Sequence, residues 1–287
     1  MSHEKSIAYL ARTEEERLLL AHTEDLMSRA DGGTVSGDFL NLGEQFLVRA
    51  FLNQCGKTEN IDYAFFGGYP AAERRMLFLF PPYFADTLPY ITDEVGNTLA
   101  PSDAASAVCA EEQALTALKI TGSGYRVLSH RDYLGSLLAL GIERSVIGDI
   151  AVSDDRTAVL FVKAAMADFL STALERIGSD KVTVRPLSDE DARQTPDTRR
   201  WEQISDTVAS LRLDGIVAAA ANLSRDKAKQ LVTGGFVDVD FRPCEHPDTE
   251  LVPSCYLSIR GHGRYLFSEV DGTSKKGRIR IRLKKFI

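Results

Sequence analysis

The chain has 287 residues, 44% of them hydrophobic, and a formal net charge of −7 at pH 7. This length is enough for two or three domains with cores of their own, and the composition is that of a soluble globular protein. No apolar run approaches the roughly 18 to 20 residues that cross a bilayer, so we expect no membrane insertion. The acidic start lacks the apolar core of a signal peptide, which indicates a cytoplasmic protein.

Residues 1–100 are predicted to form an N-terminal α/β module. An amphipathic helix is expected over Thr13–Arg29, a second helix over Glu44–Asn53 and a strand over Tyr63–Phe66. Two glycines then permit a tight turn, and the apolar run after that turn predicts a buried strand.

The same turn holds a first group of candidate RNA contacts, Tyr69, Arg74 and Arg75. Arginines pair with phosphate and a tyrosine ring can stack on a base, so these residues predict a second RNA contact outside the main site. An ordinary turn with an ion pair to Glu73 is an equal alternative, since most arginines are surface residues.

Residues 101–187 are predicted to form a central ferredoxin-like domain, because the elements follow in the order β-α-β-β-α-β. They are strand Leu115–Ile120, helix Arg131–Leu140, strands Gly148–Val152 and Ala158–Val162, helix Ala164–Ile177 and strand Val182–Arg185. RNA-recognition motifs share this fold, but the two middle strands carry only one aromatic residue, Phe161, which core packing explains. The polar residues 188–209 are predicted to be a linker.

No catalytic residue, metal site or cofactor is predicted. The run His130-Arg131-Asp132 imitates a kinase catalytic loop, yet Leu137 stands where that loop needs a metal-binding asparagine. Asp132 or Arg131 is better explained as orienting the start of a helix. A zinc site is not favoured, because three soft ligands lack a fourth partner at regular spacing: Cys244, His246 and Cys255.

Residues 210–287 are predicted to form a C-terminal domain that begins with helix, tight turn, helix and strand. Apolar residues recur at helical spacing from Leu213 to Ala221, and Ser224 is a candidate N-cap for the second helix. Gly234 and Gly235 permit a positive φ after that helix, and an extended segment follows.

Positive charge is concentrated in this last part of the chain. Residues 212–287 hold fourteen Lys or Arg against nine Asp or Glu, a net of +5, whereas residues 1–211 have a net of −12. Arg225 and Lys229 project from one side of the second helix, and the alternation from Arg278 to Leu283 predicts a strand with one basic face. The segregation favours a phosphate-binding surface over an ordinary solvated helix face.

The pattern of the C-terminal part resembles the alpha-L, or S-four, RNA-binding motif of small-subunit ribosomal protein four, tyrosyl-tRNA synthetases and many pseudouridine synthases. Asp240 departs from it, since such domains commonly have asparagine there. The matching residues are Arg212-Leu213-Asp214, Ser224-Arg225, Ala228, Gly234, Val237 and Val239.

Further motifs make most of the chain similar to the YlmH family of bacterial RNA-binding proteins, which carry an alpha-L domain at the C-terminus. These motifs are Gly67-Gly68-Tyr69 with Ala72-Glu73-Arg74, His130 to Ile142, Ile147 to Ile150, Ser210 to Asp214 and Lys275 to Arg278.

The resemblance implies an α+β protein that binds structured RNA without catalysis. Its expected partners are ribosomal RNA, tRNA and the large ribosomal subunit, and no binding to DNA is expected. Its expected role lies in translation or in the rescue of stalled complexes. An RNA-modifying enzyme of the pseudouridine-synthase kind, with its site in the two N-terminal modules, and a cell-division accessory protein remain alternatives. The run Arg212-Leu213-Asp214 is also similar to the catalytic motif of pseudouridine synthases, but Asp214 is better explained as capping or orienting the first helix. The expected RNA-binding residues are Arg212, Ser224, Arg225, Lys227, Lys229, Arg260, Arg264, Lys275, Lys276, Arg278, Arg280 and Arg282.

Overall fold

The computed structural model describes residues 3–30, 33–59, 61–81, 91–92, 98–99, 114–154 and 156–287. Helices and antiparallel sheets make it an α+β protein. The chain divides into two compact units: Met1–Ile91 with Thr98–Thr198, and Thr92–Asn97 with Arg199–Ile287. The predicted boundary at residues 100 and 101 lies outside the described residues.

The first unit opens with three helices and a three-stranded sheet. The sheet has the strand order β1-β3-β2, and α2 and α3 cover one of its faces in a core that contains Leu26, Phe51 and Leu77. The elements are α1 His3–Leu10, α2 Glu14–Ala30, β1 Val35–Leu40, α3 Leu42–Glu59, β2 Asp62–Phe66 and β3 Arg75–Phe80. Further along the chain, the short strands β4 Ile91–Thr92 and β5 Thr98–Leu99 pair with each other.

A five-stranded antiparallel sheet follows in the same unit, with the strand order β7-β8-β6-β10-β9. Without the short β9, this is the β-α-β-β-α-β chain order of the ferredoxin-like arrangement. The elements are β6 Leu115–Gly122, α4 His130–Ala139, β7 Ile147–Val152, β8 Thr157–Lys163, α5 Ala167–Ala173, β9 Arg176–Ile177, β10 Asp180–Pro186 and α6 Asp189–Arg193, with single 3-10 turns at Arg144–Val146 and Ala164–Met166.

The predicted helix Ala164–Ile177 is wrong at both ends. Its first residues form the 3-10 turn, and the helix ends at Ala173. Arg176 and Ile177 instead pair with β10 in a tight hairpin around Gly178, whose φ is 58°. Because a strand alternates its side chains, this hairpin lets Ile177 point into the core against α4 and α5.

The two sheets of the first unit share a core. One face of the five-stranded sheet is covered by α4 and α5, and part of its other face packs on the open face of β1-β3-β2. β3 is therefore buried on both sides, as its continuous apolar run predicts. The residues in this shared core include Phe39, Met76, Phe78 and Phe80 from the N-terminal part and Ala117, Ala151, Val159 and Phe161 from the central part.

The second unit is a six-stranded antiparallel sheet with the order β11-β16-β15-β14-β12-β13. Two helices pack on one face of it, in a core that includes Leu213, Val217, Ala228 and Ile281. Its elements are β11 Trp201–Val208, α7 Leu213–Ala221, α8 Arg225–Thr233, β12 Val237–Val239, β13 Arg242–Pro243, β14 Cys255–Ile259, β15 Gly263–Thr273 and β16 Ile279–Phe286.

The predicted linker 188–209 contains structure. Its first residues form α6, capped by Ser188, and its last residues form β11, which pairs with β16 from Trp201 opposite Phe286 to Val208 opposite Ile279. Most of β11 is polar and exposed, so it carries the composition of a linker, but Val208 is 4% exposed and belongs to the core.

Candidate RNA-binding site

The buried carboxylate of Asp214 is the centre of the candidate site. Asp214 lies in the first turn of α7, and its side chain is only 4% exposed. The backbone there is fixed from outside the helix, because the amides of Leu213 and Asp214 donate to the carbonyls of Thr249 and Pro247. The carboxylate is therefore held at a defined place beneath the surface.

Two arginines bind this carboxylate, each with two hydrogen bonds. Arg212 donates from Nε and Nη2 at 3.3 Å to the two oxygens, and Arg225 does the same at 3.2 Å. Their side chains remain 40% and 54% exposed. Two guanidinium groups around one carboxylate leave a net charge of +1 and free N–H donors toward solvent, an arrangement suited to phosphate oxygens.

Burial and ion pairing act in opposite directions on the pKa of Asp214. Burial raises that pKa, but hydrogen bonds and charge from Arg225 and Arg212 outweigh it, so the pKa lies below its ordinary value of 3.8. The group is therefore ionised throughout the neutral range.

We expect the cluster to stabilise the fold above about pH 4 and to lose that contribution as pH falls through the lowered pKa, since a carboxylate with a lowered pKa binds its proton more weakly in the folded state. Chemical unfolding of Asp214→Asn as a function of pH measures this contribution. The variant should be less stable than wild type at pH 7, and the gap should narrow in acid. Asp226→Asn, which removes an exposed carboxylate from α8, is the control. A gap that does not change with pH would contradict the assignment.

The second helix adds exposed cations next to this cluster. The Ser224 hydroxyl accepts the Lys227 amide hydrogen at 3.4 Å, so the predicted N-cap is confirmed. Lys227 and Lys229 are exposed, and no hydrogen bond or ion pair of either lysine side chain occurs in the described part of the chain. Of the α8 cations in the described part of the chain, Arg225 alone bonds the buried carboxylate, and it is exposed as well.

The basic strand β16 lies on another surface of the second unit. Ile281 and Leu283 point into the core beneath α7 and α8, so Arg280 and Arg282 project from the opposite face of the sheet. Arg282 also pairs with Glu269 at 2.7 Å and Asp271 at 2.8 Å. Alternation along the strand thus separates these cations from the helical site, which is formed by Arg212, Asp214, Arg225, Lys227 and Lys229.

The remaining predicted contacts of the second unit are on turns and sheet edges. Lys275 and Lys276 are exposed on the turn between β15 and β16, and the Arg278 guanidinium bonds the backbone and side chain of Thr207. Arg260 lies over the Phe236 ring at 5.3 Å, and Arg264 over the Phe286 ring at 4.6 Å. These aromatic contacts occupy one face of each guanidinium.

The predicted second contact at Tyr69, Arg74 and Arg75 is wrong for Tyr69 and Arg74. The Tyr69 ring is 5% exposed and stacks on Phe161 at 4.7 Å, so no base can stack there. Arg74 donates to three backbone carbonyls, those of Phe39, Arg144 and Ile147. Its burial lowers the pKa of the guanidinium. Arg75 bonds the carbonyl of Ala72.

Asp149, which no sequence pattern marked as a site residue, organises this region. Its carboxylate accepts hydrogen bonds from the Tyr69 hydroxyl and from the amides of Glu73 and Arg74. Arg144 is half-buried beside Arg74, and burial together with that positive neighbour lowers its pKa to about 10. These contacts fix the turn of the N-terminal part against β7.

Asp132 and Asp214, two residues with a catalytic alternative, both have defined structural contacts. The carboxylate of Asp132 accepts the Ser129 amide hydrogen and caps α4, as expected of an orienting residue. The carboxylate of Asp214 is 4% exposed and is bound by both Arg212 and Arg225. Among the described residues, no group of three His, Cys, Asp or Glu is placed to hold a metal ion.

Comparisons with known proteins identify the family. The profile described as "Putative RNA-binding domain in YlmH" matches residues 111–191. "Ribosome-associated protein quality control protein P2" of Bacillus subtilis (strain 168) is 33% identical over 246 residues, which cover 85% of this chain and 84% of that protein. The chain belongs to the YlmH family. The matched residues include the central sheet, whose two middle strands carry one aromatic residue, Phe161.

A solved YlmH structure is also similar. "Cell division protein ylmH from Streptococcus pneumoniae" is 15% identical, with a TM-score of 0.46, over 64% of this chain and 97% of that one. In the described part of this YlmH-family chain, no helix has both the length and the apolar character to span a membrane.

Proposed function

We propose that this chain is a non-enzymatic protein that binds structured RNA of the large ribosomal subunit, together with tRNA, and acts on stalled translation complexes. The observation that carries the proposal is the pair of guanidinium groups held by the buried Asp214. The name of the Bacillus subtilis relative places that protein in ribosome-associated quality control. Such work would take place in the cytoplasm.

The geometry suits RNA because its donors are fixed before binding. Two arginines tied to one carboxylate lose little side-chain freedom when a phosphate arrives, so less of the interaction energy goes into ordering them. Lys227 and Lys229 extend the positive surface along α8. Contacts of this kind recognise backbone shape, which structured ribosomal RNA and tRNA provide.

The proposal predicts a steep salt dependence for binding by the full chain. The four cations of this site release counterions when they neutralise phosphates, so log K should fall against log salt with a slope at least as steep as about −3 to −4. Affinity for deproteinised large-subunit ribosomal RNA, measured over a range of salt, tests this, with double-stranded DNA as the control ligand. A flat dependence, or equal affinity for DNA, would contradict the proposal.

A further inference from the structure

The central sheet has one face divided into a covered half and an open half. Phe161 and Val159 of β8 are buried against the N-terminal sheet, and Tyr69 occupies the space over the Phe161 ring. On the same face, β10 and the end of β6 carry Lys119, Lys181 and Arg185, all exposed. The half of the sheet that could have stacked bases is closed, and the half that remains open is basic.

The register of the open half brings like charges together. Lys119 of β6 lies directly opposite Arg185 of β10, and Lys181 of β10 lies directly opposite Arg176 of β9. Cations placed opposite each other on neighbouring strands destabilise a sheet. Two such pairs on adjoining strands are a cost to the fold that an anion on this face would remove.

No carboxylate from these strands offsets that charge. The only acid in β6, β9 and β10 is Asp180, which points to the helix-covered side opposite Ile177 and is 1% exposed. In the described part of the chain, no hydrogen bond or ion pair involves the side chains of Lys119, Lys181 or Arg185. Thr121 and Thr183, paired with each other between the cations, add hydroxyl groups to the same face.

We propose that the open half of this sheet, formed by Lys119, Thr121, Arg176, Lys181, Thr183 and Arg185, is a second RNA-binding surface that contacts the phosphate backbone. It rests on the proposed function in that RNA is the ligand. Four cations and two hydroxyl groups without an accessible aromatic ring suit phosphates and sugar hydroxyls, not bases. The surface therefore recognises the shape of an RNA, and gives the acidic first unit a local site for a polyanion.

The test compares the full chain with the double variant Lys119→Ser/Arg185→Ser in binding to a labelled RNA stem-loop. Loss of two phosphate contacts should make the slope of log K against log salt shallower by about 2 and lower the affinity at least about tenfold near 0.1 M salt. The melting temperature should stay the same or rise, because one like-charge pair has been removed. Arg131→Ser, which removes an exposed cation from α4 on the other side of the sheet, is compared with Arg185→Ser as the matched single-charge control.

The outcomes separate this inference from the proposed function. If the wild-type chain binds the RNA and the double variant binds with the same slope, the sheet surface is refuted and the helical site stands. If wild type does not bind RNA at all, the proposed function itself fails. If the double variant binds RNA normally but is released from whole large subunits, the surface contacts protein and the inference is wrong.

Discussion

Arg212→Met/Arg225→Met should lower the free energy of unfolding by about 3 kcal/mol and make the slope of log K for RNA binding against log salt shallower by about 2. The stability loss arises because both partners of a carboxylate that is 4% exposed are removed, which leaves a buried charge uncompensated. The figure stands at the low end for buried pairs because both arginines are partly solvated. Methionine keeps most of the apolar stem, so the change is largely electrostatic.

A third substitution separates stability from binding. Adding Asp214→Leu replaces the buried carboxylate by an apolar side chain of similar size, so the triple variant should recover most of the lost stability. It should not recover RNA affinity, because the phosphate donors are still missing. Lys229→Met is the control, since it removes an exposed cation of α8 and should weaken binding with little effect on unfolding.

Urea unfolding and RNA affinity are measured on the wild type, the double variant, the triple variant and Lys229→Met. Together they show whether the arginines serve the fold, RNA binding or both. Recovery of both properties in the triple variant would show that the arginines serve the fold alone. Unchanged stability in the double variant would show that the Asp214 cluster does not hold the carboxylate as described.

A fragment of residues 199–287 should fold alone, whereas a fragment of residues 210–287 should be far less stable. The shorter fragment lacks β11, and with it eight backbone pairings to β16 and the buried side chain of Val208. Burial of one valine contributes about 1.5 to 3 kcal/mol, and Ile204 adds to it. A loss of about 3 kcal/mol corresponds to a melting temperature at least about 12 °C lower in a domain of this size.

Thermal unfolding followed by circular dichroism compares the two fragments. A third fragment, residues 199–287 with Ile204→Ser and Val208→Ser, keeps the strand but removes its inward side chains. It should fall between the other two. Equal melting temperatures for the long and short fragments would show that the domain begins after β11.

Local periodicity predicted much of the secondary structure but little of what the elements touch. The helix, turn and helix around Ser224, and the chain order of the central sheet, follow from spacing within about ten residues. The polar strand β11 was not predicted because only two of its eight residues, Ile204 and Val208, pack in or against the core. A segment with so few buried apolar residues has the composition of a linker.

Contacts between distant residues account for the other differences. Asp214 meets Arg225 from the next helix, and Tyr69 meets Phe161 from a strand some ninety positions later. Such pairs depend on how whole elements pack, which no local pattern encodes. The sequence placed Arg212, Asp214 and Arg225 in one motif, but it did not indicate that the carboxylate is buried and binds both arginines.

Sedimentation of the full chain with large ribosomal subunits tests the central claim most directly. Wild-type protein should travel with the subunit at low salt and leave it as salt rises, while the stable triple variant Arg212→Met/Asp214→Leu/Arg225→Met should leave the subunit at a markedly lower salt concentration. Addition of stalled subunits that still hold tRNA should increase the wild-type share. If the folded triple variant sediments with the subunit as wild type does, or if wild type never associates, the arginine pair around Asp214 is not the RNA-binding site.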